Sequence, residues 1–307
     1  MIKIFIDGSA GTTGLRIRGR LMERRDVELI ALPEEKRKDE NARREALNCA
    51  DVAFLCLPDA AAVEAAAMIE NDHTAVIDTS TAHRTTPGWV YGFPEVGGLR
   101  EQIRQSKRIA NPGCHASGFI ALVAPLVRAG LIDADAQLSC FSLTGYSGGG
   151  KKMIAEYEGE GRSPLLDAPR QYGLSQQHKH LPEMAAVSGL SAPPCFCPIV
   201  ADFYSGMEVS VPLFASQLKG TPAQIREIYR ETYSGPVVRF VESPDEGGFL
   251  SAAALSGSDG MEISISGSNE RILLTARYDN LGKGASGAAI QNLNLLLGAD
   301  ETAGLVL

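Results

Sequence analysis

In the first third of the chain, short apolar runs alternate with segments whose apolar residues recur at helical spacing. Residues 2–6, 27–32, 52–57 and 75–78 read as strands, and 13–23, 42–47 and 60–69 as helices. Such alternation predicts a parallel sheet with helices on its faces, open to ligands at the carboxyl ends of its strands. From about residue 137 to 274 the pattern changes. Residues 138–143, 207–211, 237–241 and 261–266 are β-like, several of them alternating apolar and polar positions. They predict a mixed or antiparallel sheet with a largely open face. Residues 285–297, apolar and small, read as a helix. The expected fold class is α/β: a Rossmann-type parallel-sheet domain over 1–114, with a C-terminal helix at about 285–307 packing back on it, and an α+β domain with a mixed sheet over 115–284.

Composition narrows the function classes. The 307 residues carry a net charge of −8 and 44% hydrophobic residues, enough for one large core or two smaller ones. The negative balance counts against a broad nucleic-acid surface. No run of about 18 apolar residues suits a membrane span, and the first residues are too short for a signal-peptide core. Six scattered cysteines read as reduced thiols, hence a cytoplasmic protein.

Directly after the first strand come Gly8, Ser9, Gly11, Thr12, Thr13 and Gly14, with glycines in G-x-x-G-x-x-G spacing. Glycine permits a tight turn and close approach to a pyrophosphate, and the next helix offers its N–H groups to the anion. The bland alternative is a tight turn with no ligand. At the tip of the second strand Lys36, Arg37 and Lys38 follow two acids. A cluster of this kind suits a 2′-phosphate, hence NADP(H); the pattern does not fix which of the three makes the contact, Arg37 being taken as the candidate, and a solvated charge run is the alternative.

The segment Asn111-Pro-Gly-Cys114-His-Ala-Ser-Gly118 begins with turn residues and leads into an apolar stretch, 119–127, that reads as a helix. Cys114 then sits at or just before a helix N-terminus, where the positive dipole end stabilises a thiolate. Cys49, Cys56, Cys140, Cys195 and Cys197 read instead as small buried hydrophobes. His178 and His180 precede Pro182, which suits the first position of a helix. His115 is a rival because it neighbours the cysteine, but adjacent side chains generally diverge, and it is expected to line the site without titrating in catalysis. Pairing His178 and His180 with Cys195 and Cys197 would give four zinc donors, but the Cys-x-Cys spacing is too narrow, and no metal is expected.

Asn111-Pro-Gly-Cys114, the glycine loop and residues 279–292 together resemble the N-acetyl-γ-glutamyl-phosphate reductase family, in the group that includes aspartate-semialdehyde dehydrogenase. The resemblance spans nearly the whole chain. The family often has Tyr-Pro-Thr after its cysteine, where this chain has His115-Ala116-Ser117. The loop 78–84 with Ser80 resembles the family's strand-end loop near the nicotinamide, and 145–151 its small-residue loop, with Ser147 and Gly148 against the cofactor rings. Asn280 belongs to the late motif and is also expected at the cofactor. The resemblance implies NADPH-dependent reduction of an acyl phosphate, in arginine biosynthesis, through a thioester on Cys114. It implies an acid/base histidine, His180 ahead of His178, with Arg84, Asn111 and His178 near the substrate, and a homo-oligomer, dimer or tetramer. Aspartate-semialdehyde dehydrogenase, an aminoadipyl-phosphate reductase and a dinucleotide-binding sensor are the alternatives.

Overall fold

The computed structural model describes residues 1–244 and 246–307. Chain contacts divide it into two units: 1–94, 98–112 and 285–305 form one, and 95–97, 113–284 and 306–307 the other.

The first unit is built on β1 (Ile2–Asp7), α1 (Thr12–Met22), β2 (Val27–Ile30), α2 (Glu40–Cys49), β3 (Val52–Leu55), α3 (Asp59–Ala67), β4 (Ala75–Asp78), β5 (Val90–Tyr91), α4 (Leu99–Gln105) and β6 (Arg108–Ala110). Its six strands run in the order β2-β1-β3-β4-β6-β5, all parallel. Because strand directions are shared, side chains on both faces must be covered, and two apolar clusters do so. One gathers Ile4, Ile6, Ile17 and Leu21 with Ile290 and Leu293 of the C-terminal helix Gly287–Leu296. The other gathers Phe5, Leu47, Leu55 and Ala62 on the opposite side. The chain steps from β1 outward to β2, then crosses back to β3. The β1/β3 boundary is therefore the point where winding reverses, the usual ligand crevice of such sheets.

The second unit contains α5 (Cys114–Arg128), β7 (Ser139–Gly145), α6 (Gly150–Glu158), β8 (Arg170–Gln171), α7 (Leu181–Ser188), β9 (Cys195–Ala201), β10 (Met207–Phe214), α8 (Pro222–Thr232), β11 (Val238–Phe240), β12 (Met261–Gly267) and β13 (Arg271–Tyr278). The sheet is mixed, in the order β11-β12-β13-β10-β7-β9-β8. Val209, Ile263 and Ala276 are fully buried on the side where α5 packs against β10 and β13, and α8 against β12. On the alternate positions Phe141 is 46% and Phe214 62% exposed, so the other face stays open, as the alternation predicts.

Several local expectations shift. The helix expected from 119 begins at Cys114; the five polar or small residues before Phe119 mask its first turn. The C-terminal helix Gly287–Leu296 is preceded by a π turn at Gly282–Ser286. The cysteines are not uniformly buried. Cys140 is, but Cys195 and Cys49 are exposed, because Cys195 starts β9 on the open face and Cys49 ends α2.

Candidate active site

In the first unit the glycine loop occupies the crevice at the end of β1. Gly8 has φ of +84°, and a Cβ there would stand 2.2 Å from the Cys56 carbonyl oxygen, so only glycine is tolerated. A Cβ on Gly14 would come within 2.6 Å of the Gly8 carbonyl oxygen and 2.9 Å of Ser9 Cα. Gly11 differs: its nearest neighbour would be 3.6 Å away. It caps α1 without a side-chain bond, and Thr12 and Thr13 open that helix. Protein atoms therefore demand glycine at 8 and 14, whereas the space over Gly11 suits the backbone approach of a pyrophosphate.

Beside the loop lies a cavity of about 610 Å³ lined by Gly8, Ser9, Ala10, Leu32, Arg37 and Lys38, among others. Arg18 from α1 and Arg43 from α2 also line it. Neither was singled out in the sequence, because each comes from a different helix. Arg43 is committed to Asp7, whose Oδ2 accepts from its Nε at 3.0 Å and its Nη2 at 2.8 Å. Arg18, Arg37 and Lys38 are exposed. These three cations line the cavity together with Glu34, Glu35 and apolar side chains, and the residues present fit a dinucleotide with a phosphate on its adenosine ribose.

At the end of β4, Ser80 donates to Asp78 Oδ2 at 2.7 Å, and His83 Nδ1 lies 2.6 Å from the same oxygen. The His83 ring stacks on Trp89 with centroids 3.9 Å apart. Arg84 donates through Nε to the Asn111 carbonyl at 2.9 Å and through Nη2 to the Thr79 carbonyl at 3.2 Å, tying the ends of β4 and β6. Asn111 is 1% exposed. Its amide donates to the Ala285 carbonyl at 3.0 Å and accepts from Asn292 at 3.2 Å. The Asn111 amide thus braces the first unit.

In the second unit Cys114 is the first residue of α5, capped by Gly113. Two distant side chains hold this helix start. The Gly113 N–H donates to buried Glu183 at 3.0 Å. The Tyr278 hydroxyl donates to the Cys114 carbonyl at 2.5 Å and accepts from the Gly118 N–H at 3.0 Å. That phenol bridges the Gly118 N–H and the Cys114 carbonyl, one step after the Ser117 to Gly113 bond that opens the helix. It has room because residue 118 is glycine: a Cβ there would lie 2.8 Å from the Tyr278 oxygen and 2.6 Å from Val209. Gly284 is also tightly placed against this helix start, since its Cβ would stand 3.1 Å from that of Cys114. The π turn carrying Gly284 is anchored by Lys283, fully buried and paired with Glu95 at 2.8 Å. Desolvation pushes the Cys56 thiol up to about 12 and raises that of Cys140 further; neither suits a nucleophile.

The histidines converge on the same helix start. His180 caps α7, with Pro182 in that helix's first turn, and is 5% exposed. Its N–H donates to His178 Nδ1 at 3.2 Å, and the two rings meet edge to face at 4.7 Å. His115 lies 5.6 Å from each ring. Burial, then the positive charge of His178 and Lys179, lowers the His115 pKa to about 3. On the loop after β7, Ser147 accepts from Asn280 Nδ2 at 3.0 Å, and Asn280 Oδ1 accepts from the Gly206 N–H. Asn280 therefore shapes the loop, while Gly148 is exposed on it.

Comparison with known proteins follows this division. Residues 3–106 match the family model described as semialdehyde dehydrogenase, NAD binding domain, and 114–280 the model described as semialdehyde dehydrogenase, dimerisation domain. Proteins named N-acetyl-gamma-glutamyl-phosphate reductase from Brucella ovis and Brucella canis are each 47% identical over 96% of this chain and 99% of theirs. Among solved structures, aspartate semialdehyde dehydrogenase II of Vibrio cholerae aligns with a TM-score of 0.73 over 97% of this chain and 98% of its own, at 16% identity. The Candida albicans aspartate semialdehyde dehydrogenase with NADP aligns at 0.67 over 97% and 99%, also at 16%. At that identity these structures share the fold.

Proposed function

The chain belongs to the N-acetyl-gamma-glutamyl-phosphate reductase family of semialdehyde dehydrogenases, and from that membership we propose that it reduces N-acetyl-γ-glutamyl phosphate to N-acetylglutamate 5-semialdehyde and phosphate. The observation that carries this reading is Cys114 at the start of a 15-residue helix whose next residue, His115, packs against the rings of His178 and His180 at 5.6 Å. The helix dipole favours the thiolate, and an adjacent imidazole can accept the thiol proton.

Cys114 Sγ bonds to the acyl carbon, the acyl–oxygen bond to phosphate breaks, and phosphate leaves with the electron pair. His180 takes the thiol proton as general base. NADP(H), when bound, supplies the hydride. The thioester carbonyl is reduced while His180 returns its proton to the developing alkoxide. The thiohemiacetal on Cys114 then breaks its carbon–sulfur bond, releasing the aldehyde and regenerating the thiol. Helical N–H groups beside Cys114 suit the developing oxyanion. His178 and Arg84 are assigned to the substrate; Asn111 acts through the frame it braces. Gly8, Ser9, Gly11 and the start of α1 hold the pyrophosphate, Arg37 the 2′-phosphate, and Ser80, Ser147 and Gly148 the nicotinamide end.

A second copy covers the open face of the second sheet, where Cys197, Phe141 and Ser210 lie in register across β9, β7 and β10, giving a dimer or a tetramer. No helix among the described residues is long and apolar enough to cross a membrane, and a cytoplasmic location suits the six unbridged cysteines. The test runs the reaction backwards. Phosphate-dependent NADP reduction with N-acetylglutamate 5-semialdehyde, at least ~100-fold more efficient in kcat/KM than with aspartate 4-semialdehyde, is expected. Equal efficiency would move the assignment to the aspartyl enzyme, and absence of turnover with both would overturn it.

A further inference from the structure

The residue after the nucleophile is histidine here, and its side chain is enclosed. His115 is 3% exposed. Its Nδ1 lies 2.7 Å from Ser142 Oγ on β7, and its Nε2 lies 2.6 Å from the Tyr172 hydroxyl. Both ring nitrogens are therefore engaged, one as donor and one as acceptor, which is the full capacity of a neutral imidazole. Burial keeps the ring neutral, with a pKa of about 3, so the ring adds no positive charge beside its neighbours. Its remaining surface is used in packing: edge to face on His178 at 5.6 Å and on Phe196 at 5.4 Å, and tilted on His180 at 5.6 Å.

This combination differs from that of a core histidine with one satisfied nitrogen. Ser142 on the sheet and Tyr172 after β8 fix the ring from two sides, and the fixed ring then meets both histidines of the acid/base segment. His178 is held further by Tyr172 at 6.1 Å and Phe196 at 5.1 Å. A charged residue at 115 would oppose protonation of its neighbours; a neutral clamped ring allows either histidine to take up a proton.

We propose that His115 is a positioning residue, clamped by Ser142 and Tyr172, that sets the orientation of the His178 and His180 rings toward Cys114. The proposal rests on the reading of His180 as the acid/base group. The histidine comes paired with a tyrosine and a serine placed to bind it.

The test compares His115→Phe, which keeps a flat ring without its bonds, with Tyr172→Phe, Ser142→Ala and the His115→Phe/Tyr172→Phe double variant. His180→Ala serves as reference. The proposal expects kcat to fall about tenfold or more in His115→Phe and Tyr172→Phe, with KM for NADP within about twofold and the melting temperature little changed. The double variant should be no slower than His115→Phe alone, because one clamp has been broken twice. Full kcat in both single variants would overturn the proposal, as would a kcat loss that only tracks a fall in melting temperature. Turnover unchanged in His180→Ala would instead remove the acid/base reading itself. A slow His180→Ala beside unaffected His115 and Tyr172 variants would leave that reading intact and reject the clamp.

Discussion

Gly11 and Gly14 look equivalent in the sequence motif, yet the structure gives them different tasks, and a single methyl group separates them. In Gly14→Ala the new Cβ stands 2.6 Å from the Gly8 carbonyl oxygen and 2.9 Å from Ser9 Cα. Both obstacles are backbone, so relief requires the loop to move away from α1. Overpacking of this kind costs about 1–3 kcal/mol, which for a domain of this size lowers the melting temperature by roughly 2–4 °C per kcal/mol. In Gly11→Ala the nearest atom is 3.6 Å away, an ordinary contact. The fold then loses only a few tenths of a kcal/mol through the poorer N-cap. The methyl group does stand where the pyrophosphate must approach, so NADP binding should weaken by ~tenfold or more, about 1.4 kcal/mol. Thermal denaturation without ligand, followed by fluorescence titration with NADPH, separates the two effects. Gly14→Ala should lose stability first, and Gly11→Ala affinity alone. Wild-type NADPH affinity in Gly11→Ala would refute the claim that the loop is a phosphate cradle. An unchanged melting temperature in Gly14→Ala would refute the steric argument.

Other perturbations follow from the same geometry. Tyr278→Phe removes the hydroxyl between the Cys114 carbonyl and the Gly118 N–H; the cost is about 1–3 kcal/mol in denaturant unfolding, with slower alkylation of Cys114. Lys283→Met leaves the Glu95 carboxylate buried without its cation, a loss of about 3–5 kcal/mol, and the Lys283→Met/Glu95→Leu pair should recover most of it. Arg37→Ser should raise KM for NADPH about tenfold and leave that for NADH unchanged, as steady-state kinetics with both cofactors will show. For pH, the unfolded chain takes up a proton on residue 115 as pH falls below the ordinary 6.5, while the folded chain waits until about 3. The folded pKa is depressed, so this contribution is intact above 6.5 and eroded between 6.5 and 3, by at most roughly 1.4 kcal/mol per pH unit. His115→Phe should flatten that slope in denaturant midpoints measured across this range, and an unaltered slope would contradict the neutral, buried ring.

Much of this was legible in the sequence because it is local. The strand at 75–78 and the glycine loop depend on neighbouring residues, and so does the placement of Cys114 near a helix start. What stayed hidden depends on contacts between distant positions. Glu183 reaches Gly113 across 70 residues, Tyr278 reaches Cys114 across 164, and Lys283 reaches Glu95 across 188. No periodicity encodes such pairings. The π turn at Gly282–Ser286 was hidden for the same reason, since a buried ion pair anchors it. Arg18 and Arg43 join Arg37 at one cavity from separate helices, so a search for a single basic run finds one of the three. Asn111 carries a task its motif did not announce: its amide braces Ala285 and Asn292. One missed signal was available. Thr221-Pro222-Ala223-Gln224 is a capping box, with Thr221 and Gln224 bonding each other's backbone, and it announces α8.

A covalent acyl group on Cys114 can be tested before any hydride is transferred. Enzyme mixed with N-acetyl-γ-glutamyl phosphate and no cofactor should release about one phosphate per subunit in a burst. Mass spectrometry should place the N-acetylglutamyl group on the peptide bearing Cys114. Adding NADPH should discharge it as aldehyde, and Cys114→Ala should show neither burst nor adduct. A burst that persists in Cys114→Ala, or an acyl group found on another residue, would contradict the account.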